Sequence, residues 1–269
     1  FSGDGALTKI DLTSFNTSKV KYMDSMFTQD FSLSSLDLSN FDTSNVINMS
    51  DMFNNDFAIT SLDLSKWNTS NVTNMGNMFY HTLGLTKLDL SNFDTKKVQY
   101  MDSMFKNDLA LTKINIANFD TSSVQKNADM FANDSNLTTL TFGDKFKNVS
   151  SSINLLSASW IKKDDDTHTG YTTDTLITHL ANDDSSGGTY TKVLAAGVDG
   201  TAPYVIDLNN NLNFYAGKLD NSTTKGILEQ KSISKIDTSN AGGKVVLPDD
   251  SSGLFEDSTA STIDFTNID

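Results

Sequence analysis

Apolar and polar positions in the first half of the chain recur every 26 residues without drift. Leu12, Leu38, Leu64, Leu90, Ile116 and Phe142 each close a short Leu-x-x-Leu-x-Leu-like run. Phe15, Phe41, Trp67, Phe93 and Phe119 form a second apolar column, and Val20, Val46, Val72, Val98 and Val124 a third. All nine methionines fall in two more columns: Met23, Met49, Met75 and Met101, and Met26, Met52, Met78, Met104 and Met130. A fixed period between about 20 and 50 residues marks an array of supersecondary units that bury their apolar faces against one another.

Each unit carries two inner periodicities. Leu36 and Leu38 alternate with Asp37, which predicts a strand with the leucines inward and the carboxylate outward. Asp42-Thr43-Ser44 offers side chains suited to capping a helix. Val46, Met49, Met52 and Phe53 then follow at i, i+3, i+6 and i+7, one face of a short helix. About eight apolar anchors per unit, worth roughly 2 kcal/mol apiece when buried, do not outweigh an ordering cost of at least roughly 1 kcal/mol for each residue. A single unit therefore cannot stand alone, and stacking is obligatory. The expected fold is α/β: a right-handed leucine-rich-repeat solenoid of 26-residue repeats, with a parallel sheet and short helices, followed by a small β-rich module.

The text Leu-Asp-Leu-Ser-Asn-Phe-Asp-Thr-Ser-Asn-Val at 36–46 and the Met-x-x-Met-Phe ending at 49–53, with their spacing, resemble the 26-residue repeat of bacterial surface proteins in the BspA-like leucine-rich-repeat group. The likeness covers about residues 6 to 150. It implies an exported protein displayed at the cell surface and linked to adhesion, with an extracellular protein or glycan as partner. It supplies no catalytic residue and no ligand-binding residue. A stalk that lifts another domain off the cell, with no ligand of its own, is the alternative role.

In chain order, residues 1–150 read as the repeat array, five full units and a degenerate sixth at 137–149. Residues 151–193 read as its C-terminal cap, with a short helix in Tyr171–Leu180 and a strand near Gly188–Lys192. Residues 194–269 read as a β-rich module that would open a following array, with a hairpin built on Tyr204–Leu208, Asn209–Asn211 and Leu212–Tyr215. Asp164–Asp166 reads as a solvated loop. Ile263-Asp-Phe-Thr near the end resembles Ile10-Asp-Leu-Thr near the start, so the parent reading frame is expected to continue with Thr-Ser-x-Val and further 26-residue units.

Charge narrows the partners. The net charge is −14, with 20 Lys, no Arg, and only Glu229 and Glu256 beside the aspartates. Such a surface suits neither nucleic acid, whose phosphates call for basic patches, nor an anionic bilayer, and no apolar stretch long enough for membrane insertion is present. The absence of cysteine excludes disulfides and thiolate metal sites. His81, His168 and His179 share no metal-ligand spacing, and no nucleophile elbow, P-loop or dinucleotide fingerprint occurs. No enzyme activity, metal or cofactor is expected.

Candidate binding residues are therefore sought on the outside of the array. Asp11, Asp37, Asp63 and Asp89 form the outward strand column, continued by Asn115 and Thr141. Like charges on neighbouring parallel strands, about 4.8 Å apart, need relief from nearby turns, from a partner or from a cation. Asp30, Asp56, Thr82, Asp108 and Asp134 form a second polar column, whose short side chains suit turn amides; no EF-hand-like loop is present. Tyr22 and Tyr100 share a column and are expected to be exposed, and Tyr80 marks the irregular third repeat. These tyrosines are candidate interface anchors. Trp67 is expected in the core.

Overall fold

The computed structural model describes residues 1–163, 170–193, 195–196, 204–206, 211–214, 217–218, 233–238, 245–247 and 260–264. The chain divides into two units, Phe1–Leu156 with Ile177–Thr189, and Ser157–Leu176 with Tyr190–Asp269.

In the first unit the 26-residue repeats lie one on the next, but the bonds that join them are not those of a helix-bearing repeat. Met49, Asp51, Phe53 and Asn55 donate their N–H groups to the carbonyls of Asn74, Gly76, Met78 and Tyr80 in the following repeat, at 2.8–3.0 Å. Asp51 and Asn55 have φ of 57° and 62°, and the same pair recurs at Ser25/Gln29, Asn77/His81, Ser103/Asn107 and Asp129/Asn133. Most of these are residues that tolerate the left-handed region. Two left-handed residues in each repeat turn alternate N–H groups sideways, toward the next repeat, so the i→i−4 ladder of a helix cannot form. Met49, Met52 and Phe53 are nevertheless fully buried. The apolar periodicity is met by a ribbon of laterally bonded turns.

The expectation of an α/β leucine-rich-repeat solenoid with a short helix in each repeat is thereby overturned. The regular elements among the described residues are mostly strands, in sheets of mixed direction, and the one α-helix among them, α1 (Thr173–Asn182), lies outside the repeats. Strands form in only three of the expected runs. β1 (Lys87–Asp89), β2 (Lys113–Ile116) and β3 (Thr139–Phe142) are parallel and in 26-residue register, Leu88 opposite Ile114 and Ile114 opposite Leu140. In the runs at 10–12, 36–38 and 62–64 no strand is made, and Leu36 and Leu62 are only half-buried where Leu88 and Ile114 are buried. A second row of parallel bridges links Tyr22, Asn48, Asn74, Tyr100 and Lys126 in succession.

Identical side chains meet inside the stack. The rings of Phe27, Phe53, Phe79, Phe105 and Phe131 lie face to face, with centroids 5.5–5.9 Å apart. Phe41, Trp67, Phe93 and Phe119 are buried beside them. Thr17, Thr43, Thr69 and Thr95 are buried too, and each hydroxyl donates to the carbonyl of Asp42, Asn68, Asp94 or Asp120 at 3.0 Å. Where Phe41 is followed by Asp42-Thr43, the threonine is thus a buried clasp between repeats. Past β3, Lys147 Nζ donates to the Asp183 carbonyl and the Ser186 hydroxyl, and Gly187 N–H donates to Asp144 Oδ1.

In the second unit, β4 (Ser159–Lys162) pairs antiparallel with β5 (Gly170–Thr172) and with β6 (Gly188–Val193). Trp160 is buried and donates its indole N–H to Thr173 Oγ1 at 3.2 Å. The hydroxyl of Thr172 accepts the Thr175 N–H and caps α1, whose Leu176 is buried in this unit; Ile177 and Leu180 of α1, also buried, belong to the first unit. The remaining strands are β7 (Ala195–Ala196), β8 (Tyr204–Ile206), β9 (Asn211–Phe214), β10 (Gly217–Lys218), β11 (Lys235–Asp237), β12 (Val245–Val246) and β13 (Thr262–Ile263). They form a five-stranded sheet of order β13-β11-β9-β8-β7 and a parallel pair β10-β12. β8 and β9 pair antiparallel; the Asn209–Asn210 part of their expected turn and the Asp164–Asp166 loop lie outside the described residues.

Candidate functional site

The outer Asp column is exposed throughout, and each member is committed by one oxygen to its own turn. Oδ1 of Asp11, Asp37, Asp63 and Asp89 accepts the N–H of Thr13, Ser39, Ser65 and Ser91, each at 3.0 Å. Asp11 also accepts the Thr13 hydroxyl at 2.6 Å. Hydrogen bonds from the hydroxyl of the residue two ahead, and then from its amide, hold all four carboxyls below the usual carboxylate range. Lys9 adds to this at Asp11, and Lys66 at Asp37 and Asp63. The column is a row of ionised Asx turns, each stabilising the corner that follows its run.

The three candidate tyrosines do not converge. Tyr22 is 66% exposed. Tyr100 shares its bridge row but is half-buried, with Lys126 Nζ 5.6 Å from its ring centroid, so its expected exposure is corrected to a partly covered ring in cation–π geometry. Tyr80 lies in a different turn, half-buried, its hydroxyl accepting the Asn107 side-chain N–H at 3.1 Å.

Sequence reasoning passed over a further surface. Phe31 and Phe57 stack with ring centroids 5.0 Å apart, and His81 meets Phe57 edge-on at 5.1 Å. Phe31, Phe57 and Leu109 are 44%, 37% and 45% exposed, and with half-buried Leu83 they form one 26-residue column. An apolar residue recurring at the array period two residues before each Leu-x-x-Leu run was the available signal.

The inner polar column is a ladder between repeats. Asp30, Asp56, Asp108 and Asp134 are buried. Asp56 Oδ1 accepts the Asp30 N–H and Asp134 Oδ1 accepts the Asp108 N–H, both at 3.0 Å, and Asp108 Oδ1 accepts both the N–H and the hydroxyl of Thr82. The amides served belong to the equivalent position one repeat earlier. Burial raises all four carboxyls, Asp56 and Asp134 up to about 8.

No group of three or more His, Cys, Asp or Glu side chains with metal-holding geometry occurs among the described residues. His81 Nδ1 lies 2.8 Å from Asn55 Oδ1, and His179 Nδ1 lies 3.4 Å from Asp183; His168 is outside the described residues. No helix among the described residues is long and apolar enough to cross a membrane.

A stack of 26-residue repeats with an exposed apolar column and an ionised outer column defines a repeat protein whose surface, rather than a cleft, is its distinctive feature. The chain belongs to the family described as Mycoplasma protein of unknown function, DUF285, which it matches over residues 1–87 and 58–165, together 165 of its 269 residues. No curated protein and no solved structure matches it.

Proposed function

We propose that the chain is a binding module of a bacterial cell-surface protein, which engages an extracellular protein or glycan through its repeat array. The observation that carries this reading is the column of exposed Phe31, Phe57 and Leu109 with half-buried Leu83, apolar side chains repeated at the 26-residue period of the stack. Aromatic side chains presented on a preorganised surface lose little entropy on binding. The resemblance of the repeats to the BspA-like surface-protein group agrees with export, surface display and adhesion. No catalytic role enters this reading, and no cofactor or metal is required by it. The test is binding of the full chain to panels of immobilised extracellular-matrix proteins and glycans, compared with the double variant Phe31→Ser, Phe57→Ser. Saturable binding that falls at least tenfold in the variant supports the reading. Saturable binding that the variant leaves unchanged would move the site elsewhere, and no binding across the panels would favour a spacer.

The spacer role is favoured by a separate observation. Asp11, Asp37, Asp63 and Asp89, the residues expected to meet a partner, are each engaged in their own turn.

A further inference from the structure

Four carboxyls lie inside the array with no cationic side chain hydrogen-bonded or ion-paired to them. Asp30, Asp56, Asp108 and Asp134 are at most 2% exposed. Each uses Oδ1 to accept an N–H from the preceding repeat, that of Asp4, Asp30, Thr82 or Asp108. Each leaves Oδ2 buried and without a hydrogen-bond partner. The charged groups that reach them are mostly of the same sign. Asp30 feels Asp4 and the Phe1 ammonium, Asp56 feels Asp30, and Asp108 feels Asp134. Lys106, the cationic side chain nearest to Asp108 along the chain, is engaged with Asp129 at 2.8 Å. Thr82 takes the middle place in the column and so splits the ladder into the pairs Asp30/Asp56 and Asp108/Asp134.

A buried oxygen with no donor in reach is the place for a proton rather than for a negative charge. We propose that this ladder is a proton-loaded lock: the array closes with its inner carboxyls in the acid form, takes up protons as it folds, and loosens as its surroundings turn alkaline.

The direction follows from linkage. An aspartate in the unfolded chain titrates near 3.9, and burial, followed for Asp56 by the Asp30 charge, pushes Asp56 up to about 8. Asp134 is pushed to about 8 by burial alone. A raised carboxyl contributes stability that is complete below about pH 4 and is lost as the pH climbs through about 8. Each pair titrates as a unit, because ionising one rung disfavours ionising its neighbour.

Thermal melts of the full chain at pH 5 and pH 9 test the lock, with Asp56→Asn and Asp134→Asn as variants. Asparagine keeps the Oδ1 acceptor and cannot ionise. The parent melting temperature is expected to fall by at least about 10 °C between pH 5 and pH 9, and each variant by clearly less. A parent melting temperature that is level or rises over that range would overturn the proposal, as would variants that fall as steeply as the parent. Should the variants fail to fold, proton exchange on refolding of the parent in weakly buffered solution at pH 6.5 decides the matter. Net uptake supports the lock; net release or no change contradicts it.

Discussion

Asp63, on the outer edge of the array, accepts the Ser65 N–H in a turn open to water, whereas Asp56, a few residues earlier, accepts the Asp30 N–H where water does not reach. The local chemistry is alike, one carboxyl oxygen on one backbone amide at 3.0 Å. The surroundings reverse its consequence. Solvated and bonded to Ser65, the outer carboxyl is held ionised. Buried and beside Asp30, the inner one is held neutral up to about 8. Stability contributed by the outer column is present above about pH 4 and lost as the pH falls through its lowered values. Stability contributed by the raised carboxyls of the inner ladder is present below about pH 4 and lost as the pH rises, for Asp56 and Asp134 through about 8. The two trends cross in mildly acid solution, so the array should be most stable near pH 4–5, toward the acid side of the usual optimum.

The largest break in this comparison comes from a carboxylate placed where no amide waits for it. Met52 is fully buried, so Met52→Asp should unfold the array cooperatively. A circular-dichroism melt within a degree or two of the parent would show that position 52 is not inward. Next in size is Asp108→Ala, which strips the Thr82 N–H of its acceptor and leaves the Thr82 hydroxyl only the Phe79 carbonyl. A buried donor left unserved costs about 1–3 kcal/mol, so denaturation at pH 5 should show a loss of that order. At pH 9 the loss should shrink, because the variant no longer carries an acid that must stay neutral; an equal loss at both pH values would contradict the acid form of Asp108.

A gentler change fills the gap. Thr82→Asp would restore the rung between Asp56 and Asp108 and join the two pairs into one ladder. Melting at pH 5 should stay within about 3 °C of the parent, while at pH 9 it should fall further than the parent does; a drop of the same size at both would point to a steric cause. The smallest effect belongs to the outer column. Asp63→Asn keeps the acceptor for the Ser65 N–H, and its melting temperature at pH 7 should move by no more than about 2 °C. A larger loss would mean that the charge itself holds the corner.

Much of this was legible in the sequence, at the level of columns. The inward assignment of Met49, Met52, Phe53 and Trp67 follows from period alone, because burial depends on which residues share a face. The element that carries them does not follow, since i, i+3 and i+7 spacing fits any ribbon that turns about once in three or four residues. The left-handed pair Asp51 and Asn55 was the distinguishing sign, and it is weak residue by residue because Asn and Asp also cap helices. The outward position of Asp11, Asp37, Asp63 and Asp89 follows from their alternation with flanking apolar residues, and holds even where no strand forms. The Phe31, Phe57, Leu83 and Leu109 column shares the 26-residue period of the core columns, so period alone does not separate it from them; its exposure comes only from stacking. For Asp30, Asp56, Asp108 and Asp134 the sequence suggested turn acceptors, but depth and the identity of the amide one repeat away come only from stacking.

The most direct test of the contrast between the two columns is a carboxyl ¹³C NMR titration of the folded chain from pH 3 to pH 9, with Asp37, Asp63, Asp56 and Asp134 assigned. Asp37 and Asp63 should be fully ionised by about pH 5, while Asp56 and Asp134 remain in the acid form at pH 6 and titrate near 8 or on opening of the array. Four carboxyls that all ionise below pH 5 in a chain that stays folded would contradict the account.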